Sequence, residues 1–364
     1  MYVAWRFVHP LPLSLAWKFT IGITLLVISK YHYFSVLIYG DMWSPELPYG
    51  VVWILGWLFC AFVLLFVFTL LSDTLLLLGW FFGGRKFFRK FGTGIRVGLV
   101  MAVTCLSAFG VYQATQAPEV HRVELSIKDL PPEFNGFRFV QLSDLHISRL
   151  FPEAWVREVV ERTNALKPEL ILITGDIIDG YVDARRNDVS PLKDLQADRG
   201  VIAIPGNHEF YFKYAEWGPL LEELGMRMLL NEHVVLQQGN GKLTIAGVSD
   251  ASGPKYGFPG PDLDRALQGA STDAPIILLN HRPEGTARSA KAGVDVQLSG
   301  HTHGGMVRGL DQVAAYANEG FVSRRYDIGS LVLYVSNGTG LWMGFPIRLG
   351  VPPEITEFTL RPAR

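Results

Sequence analysis

Cysteine is nearly absent: 364 residues hold two, Cys60 and Cys105, both inside apolar runs. That excludes a disulfide framework and a thiolate metal site, and both side chains read as buried small hydrophobes. Any metal bound here must be held by nitrogen and oxygen. Net charge is also lacking, at −1, so there is no electrostatic case for nucleic acid as a partner. No small-residue cleavage site follows the N-terminal apolar stretch, so a secretory signal peptide does not account for it.

What the chain does have is apolar sequence concentrated in one half. Residues 1–116 hold long apolar runs, whereas 119–364 reads as an α/β domain. The uncharged run VVWILGWLFCAFVLLFVFTLL, 51–71, has spanning length, since a bilayer core takes about 20 helical residues. VGLVMAVTCLSAFGVYQATQ, 97–116, is a second such run. A third lies within 11–38, bracketed by Lys18 and Lys30, whose stems can reach opposite surfaces. The segment 72–84 extends the 51–71 span or lies along the interface. The expectation is an all-α anchor of three spans, near 13–36, 51–75 and 97–116. The 85–96 loop carries Arg85, Lys86, Arg89, Lys90 and Arg96 with no acid, whereas the 39–50 loop carries Asp41 and Glu46 with no base. Positive charge stays on the cytoplasmic side. The half after residue 117 is thereby expected on the extracytoplasmic face of the cell membrane.

In that half, five apolar runs of strand length each give way to side chains that bind metals. FRFVQLSDLH ends in Asp144 and His146, PELILITGDIIDG in Asp176 and Asp179, and GVIAIPGNHEF in Asn207 and His208. APIILLNHRPE ends in His281, and VDVQLSGHTHGG in His301 and His303. Between the first two, 153–167 has helical spacing with Trp155, Val159, Val160 and Leu166 on one stripe, which makes a β-α-β alternation. Sites in open α/β sheets lie outside the carboxyl ends of the strands, so all five clusters converge on one edge. Five of the nine histidines stand at such ends, too many for isolated structural residues. Carboxylate, imidazole and amide oxygen without thiolate suit Mn, Fe or Zn, and seven candidate ligands imply two divalent ions sharing a carboxylate. Gly175, Gly206, Gly300 and Gly304 flank the ligands, where the backbone must turn sharply or come close to metal or phosphate.

D-x-H, G-D-x-x-D-G, G-N-H-E, a lone His and G-H-T-H, in this order, resemble the calcineurin-like metallophosphoesterases over about 138–360. The ending YVSNGTGLWMGFPIRLGVPPEITEFTL is similar to the bacterial membrane-associated branch of that family. The resemblance implies a four-layer α/β/β/α sandwich, two mixed sheets face to face with helices outside. It also implies that Asp144, His146 and His303 hold one ion, that Asn207, His281 and His301 hold the other, and that Asp176 bridges them. His208 corresponds to the histidine that faces the substrate phosphate without ligating. The chain departs from the family at its front, where helices replace a cleavable or twin-arginine signal.

The chemistry so implied is phosphohydrolysis. Two divalent ions about 3.5–4 Å apart can hold a bridging water and lower its pKa towards neutrality, giving a hydroxide for in-line attack on phosphorus. His208, protonated, can pass its proton to the leaving oxygen. Asp179 reads either as a carboxylate holding a ligand or loop in place, or as a helix-start residue. Tyr211, Phe212 and Tyr214 can line a pocket or pack in the core, and Arg324 and Arg325 can bind a second phosphate or sit at the surface. The anchor favours a lipid- or sugar-linked, envelope-associated substrate, and the motifs do not separate phosphomonoester, phosphodiester and pyrophosphate. The competing class is a catalytically silent membrane scaffold that keeps its metals for structure; a transporter has too few spans and intramembrane charges.

Overall fold

A computed structural model describes residues 1–81, 85–271 and 273–363. The chain divides into two compact units, Met1–Ala114 with Met343–Ile347, and Thr115–Trp342 with Arg348–Arg364.

The first unit is helical. Helix α1, Leu15–Ser29, starts where the Ser14 hydroxyl accepts the Trp17 N–H. It is followed after Lys30 by α2, Tyr31–Tyr39, which ends on Gly40 in the left-handed conformation. The two are bent by 56° at the break, so the first expected span is not a straight rod. Helices α3, Tyr49–Phe81, and α4, Arg85–Thr115, contain the two stretches long and apolar enough to cross a membrane, Tyr49–Gly79 and Gly92–Thr115. The count is therefore two, or three if the bent pair is one span. The 85–96 stretch is helical rather than a loop, because Arg, Lys and Phe there are competent helix formers with no proline to stop them. The 72–84 segment continues α3 as far as Phe81, and its last residues, 82–84, lie outside the described ones. Large apolar side chains such as Leu26, Val27, Leu70, Leu71 and Leu77 face outward, an exterior that hydrocarbon solvates and water does not. Cys60 is buried, but Cys105 is exposed, contrary to expectation, because it falls on an outward face of α4. The acid in α3, Asp73, is paired: Arg6 donates to its two oxygens at 2.6 and 2.8 Å and the Tyr2 hydroxyl at 2.5 Å.

The second unit is built on two six-stranded mixed sheets. Its strands are β1 (Glu119–Ile127), β2 (Arg138–Leu142), β3 (Leu170–Ile173), β4 (Val201–Ala203), β5 (Met226–Met228), β6 (Glu232–Gln238), β7 (Gly241–Gly247), β8 (Ile276–Leu279), β9 (Val296–Ser299), β10 (Arg324–Ile328), β11 (Leu331–Val335) and β12 (Glu354–Pro362). One sheet runs β1-β12-β2-β3-β4-β5 and the other β10-β11-β9-β8-β7-β6. The inner strands β2, β3 and β4 are parallel, as are β7, β8, β9 and β11. Side-chain alternation explains why these runs read as uniformly apolar. Leu170 and Leu172 of β3 face Ile277 and Leu279 of β8, with Val296 and Leu298 of β9, in one core between the sheets. The alternate residues Ile276 and Leu278 turn to the outer face and pack under Leu263 and Ala266 of a short helix. Over the other sheet, helix α5, Glu153–Ala165, buries Trp155, Val156, Val159, Val160 and Thr163. The expected stripe holds except for Leu166, which caps the helix and is only half-buried. Parallel strands in both sheets thus bring their carboxyl ends, and the residues after them, to one edge.

Candidate metal centre

Each candidate residue lies two to five positions beyond a strand's last residue: Asp144 and His146 after β2, Asp176 after β3, Asn207 and His208 after β4, His281 after β8, His301 and His303 after β9. Five of them have left-handed backbone: Asp144 (φ 52°), His146 (44°), Asp176 (52°), His301 (67°) and His303 (50°). Such conformations cost about 1–3 kcal/mol each and cluster at functional sites. Hydrogen bonds between neighbouring strand ends hold them. The Asp144 N–H donates to Gly175 O, that of His146 to Asp176 O, and that of Gly340 to Asp144 O, at 2.9–3.0 Å. Two glycines are required by close approach. A Cβ on Gly206 would sit against Asp176 Oδ1, and one on Gly300 against Asp144 Oδ2 and Ser143 Oγ.

The expected ligands converge in two groups, Asp144–His146–His303 and Asp176–His281–His301, each with its donor atoms within 4.8 Å of one another, and a third group, His146–Asp179–His208, adjoins the first through His146. Asp176 stands between them, its Oδ2 3.2 Å from His281 Nε2 and 3.7 Å from His146 Nε2. Asn207 Oδ1 lies 3.2 Å from His281 Nε2. His146 and His303 face each other Nε2 to Nε2 at 3.2 Å, and His281 Nε2 faces His301 Nδ1 at the same distance. His303 Nδ1 is buried without a hydrogen-bond partner among the described residues. Opposed imidazole nitrogens and converging carboxylates leave more lone pairs than protons between them. Divalent cations resolve that arrangement, and the nitrogen and oxygen donors suit Mn, Fe or Zn. The residues therefore fit a pair of metal ions.

Burial opposes every charge here, and neighbours decide which survive. Against burial, the His281, His208 and His146 imidazoles hold the Asp176 carboxyl well below the usual range. Burial raises Asp144. Burial would neutralise His281, but Asp176 and Asp144 push it up to about 10. His301 falls to about 3 through burial and the cations His281 and Arg282, and His303 is lowered well below the ordinary value by burial and His146. Those two rings are held neutral, the form in which an imidazole ligates, whereas His281 would give up its proton to an ion bound there.

Asp179 settles its two readings by its contacts. Its buried Oδ1 receives His146 Nδ1 at 3.0 Å and His208 Nδ1 at 2.5 Å. The helix that follows, α6 (Val182–Val189), has Tyr181 at its cap and no side-chain cap bond. Asp179 is thus a carboxylate that orients two imidazoles. His208 is disfavoured as a cation by burial, but Asp179 and Asp176 raise it to about 9. Its ring lies 4.6 Å from that of His146, on that flank of the centre.

Four residues escaped the sequence reading. The Glu209 carboxylate accepts the N–H groups of Gly206, Asp176 and Ile177 at 2.6–3.0 Å, tying two ligand loops together. Arg348, fully buried, donates to five backbone oxygens, including those of His303, Asn337 and Gly340. Arg282 pairs with Asp250 at 2.8 Å beside His301. Asp250 did carry a signal, since KLTIAGVSD is another apolar strand ending in a carboxylate. Phe212 and Tyr214 are core, whereas Tyr211 is half-buried with its ring 5.1 Å from that of His208. Arg324 and Arg325 lie on β10 and pair with Glu354 and Asp327.

Strand-end carboxylates and imidazoles fitted to two cations, on facing mixed sheets, define a calcineurin-like phosphoesterase domain, and residues 137–305 match the family model of that description, Calcineurin-like phosphoesterase. The chain belongs to the metallophosphoesterases. It is 32% identical over 274 residues to the uncharacterized metallophosphoesterase YkuE of Bacillus subtilis, covering 72% of this chain and 93% of that protein. A Campylobacter jejuni metallophosphoesterase is 31% identical over 82% of this chain and 78% of its own. The "Transmembrane protein with metallophosphoesterase domain" of Bos taurus is 36% identical over 72% of this chain, and the match spans 62% of that protein's length. Membership implies hydrolysis of phosphoesters with a dinuclear divalent metal centre.

Proposed function

We propose that the chain is a membrane-anchored phosphohydrolase in which Asp144, His146 and His303 hold one divalent ion and Asn207, His281 and His301 the other. Asp176 serves both, and His208 is the general acid. The observation that carries this is the Asp176 carboxylate, within 3.7 Å of imidazoles from both donor groups and with His208 on one flank. When bound, the ions supply Lewis acidity and an activated water. The chain's own groups do the rest. The Asp179 carboxylate keeps a proton on His208 Nδ1 and so directs Nε2 outward, where it can give a proton to the leaving oxygen, a contribution of about 10²–10⁴-fold. The Glu209 carboxylate and Arg348 keep the ligand loops from relaxing. Helices α3 and α4 fix the domain beside a bilayer, which favours a phosphorylated lipid- or sugar-linked substrate. The basic 85–96 segment supports an extracytoplasmic catalytic unit.

The test is hydrolysis of p-nitrophenyl phosphate and bis(p-nitrophenyl) phosphate by the full-length protein in detergent, metal-free and then with Mn(II), alongside Asp176→Asn. Metal-dependent turnover in the wild type, with both ions weakened and turnover lost in the variant, is expected. Two bound metals with no turnover of any phosphoester would favour the scaffold, and no metal binding would sink both.

A further inference from the structure

Arg282 lies at the rim of the centre on the flank of the Asn207–His281–His301 group. Its Nε donates to Asp250 Oδ2 at 2.8 Å and its Nη2 to Oδ1 at 3.4 Å. Asp250 is itself buried and fixed by the Ser252 N–H at 2.8 Å. One edge of the guanidinium is therefore anchored. The other edge faces the centre, with Nη1 3.2 Å from His301 Nε2 and Nη2 3.5 Å from Asn207 Oδ1.

Those last two contacts are the ones that metal loading would take away. His301 turns Nδ1 towards His281 Nε2. If Nδ1 gives its lone pair to an ion, the ring's one proton sits on Nε2, and a guanidinium has no lone pair to accept it. Asn207 Oδ1, given to the same ion, is a poorer acceptor as well. Two N–H donors of a permanent cation are then left beside a divalent ion, a repulsive arrangement that a shared anion relieves. The guanidinium fork matches phosphoryl oxygens in shape and charge.

Resting on the hydrolase reading above, we propose that Arg282, held by Asp250, grips a non-reacting phosphoryl oxygen and tunes the site to phosphomonoesters and other terminal phosphoryl groups. The counting of oxygens supports that class. A monoester has three unesterified oxygens, one for each donor group and one for Arg282. A phosphodiester has two, and none remains for the guanidinium. Placement supports it too, because His208 packs on the His146 flank and Arg282 on the His301 flank. The leaving oxygen falls to His208, whose ring lies 5.1 Å from that of Tyr211, and the retained oxygen falls to Arg282.

The experiment compares full-length wild type with Arg282→Gln and Arg282→Lys, each loaded with Mn(II). It measures inorganic phosphate binding by calorimetry and kcat/KM for p-nitrophenyl phosphate and bis(p-nitrophenyl) phosphate. A lost charge-assisted contact is expected to weaken phosphate binding about 10- to 100-fold in Arg282→Gln. The monoester-to-diester ratio of kcat/KM should drop at least about tenfold, and Arg282→Lys should recover part of both. If Arg282→Gln does not fold, Arg282→Lys decides, with phosphate binding weakened about threefold or more, since an ammonium cannot match the fork. Wild-type preference for the diester, equal losses on both substrates, or phosphate binding indifferent to Arg282 would overturn the assignment. Those outcomes with two metals bound and turnover present would leave the hydrolase reading standing, whereas a wild type that binds no metal would remove that reading first.

Discussion

Asp179→Asn removes one charge and almost no volume from beneath two imidazoles. The Asp179 oxygen that accepts both His146 Nδ1 and His208 Nδ1 is buried, so the two bonds are charge-assisted in a water-free setting. Such bonds contribute about 1.5–3 kcal/mol each, against about 0.5–1.5 for a neutral pair, so neutralising the acceptor costs about 2–3 kcal/mol over both. That corresponds to about 30- to 150-fold in affinity and turnover combined. The loss divides by residue. The His146 share appears as weaker Mn(II) binding, which saturating metal restores, and the His208 share as a lower kcat, which it does not. The pH profile supplies a second readout. The acid form of His208 exists below its pKa and is lost as pH rises through it, and Asp179 is a leading cause of that pKa lying high. The alkaline limb of kcat in Asp179→Asn should therefore move to lower pH. A variant within about threefold of wild type at saturating Mn(II), with the same alkaline limb, would refute the reasoning.

Gly300→Ala should bind Mn(II) at least about tenfold more weakly by calorimetry and lose about 1–3 kcal/mol of stability, read as a lower thermal transition, because its Cβ would meet Asp144 Oδ2 and Ser143 Oγ in a buried corner with no room to yield. Unchanged affinity would mean that the strand end relaxes. In a bacterial inner membrane, external protease on spheroplasts should release a fragment near 119–364 if the catalytic unit faces outward, and full protection would reverse the orientation.

The donor residues were legible because parallel strands buried on both faces leave an unmistakable apolar run, and the residue types that end such runs here are few. Helix α5 was legible through its stripe, and α3 through its uncharged length. What escaped was set by contacts between segments distant in sequence. Glu209 acts on amides of Asp176 and Ile177, more than thirty residues earlier, and Arg348 on carbonyls of its own loop and of the His303 loop, forty-five residues earlier. A lone buried arginine with no carboxylate bonded to it among the described residues leaves no periodicity behind it. Asp73 was passed over inside an otherwise apolar helix because its partner, Arg6, lies 67 residues away. The charge of the basic 85–96 stretch says which side of a membrane it occupies and nothing about whether it is a loop or, as found, helical.

The strained backbone explains why the site needs those hidden residues. Asp144, His146, Asp176, His301 and His303 all hold left-handed φ, at about 1–3 kcal/mol apiece. No single strand end could keep that conformation alone. Each is held by its neighbour: the β2 end by Gly175 and Asp176 carbonyls, the β3 end by the Glu209 carboxylate, and the β9 end by Arg348 at the His303 carbonyl. The sheets supply rigidity, and the crossover bonds, which offset the strain, keep the donors pointing inward without cations to gather them. That is preorganisation: the rings and carboxylates do not have to be gathered when an ion arrives, so the ion's binding energy is free to hold substrate and activate water.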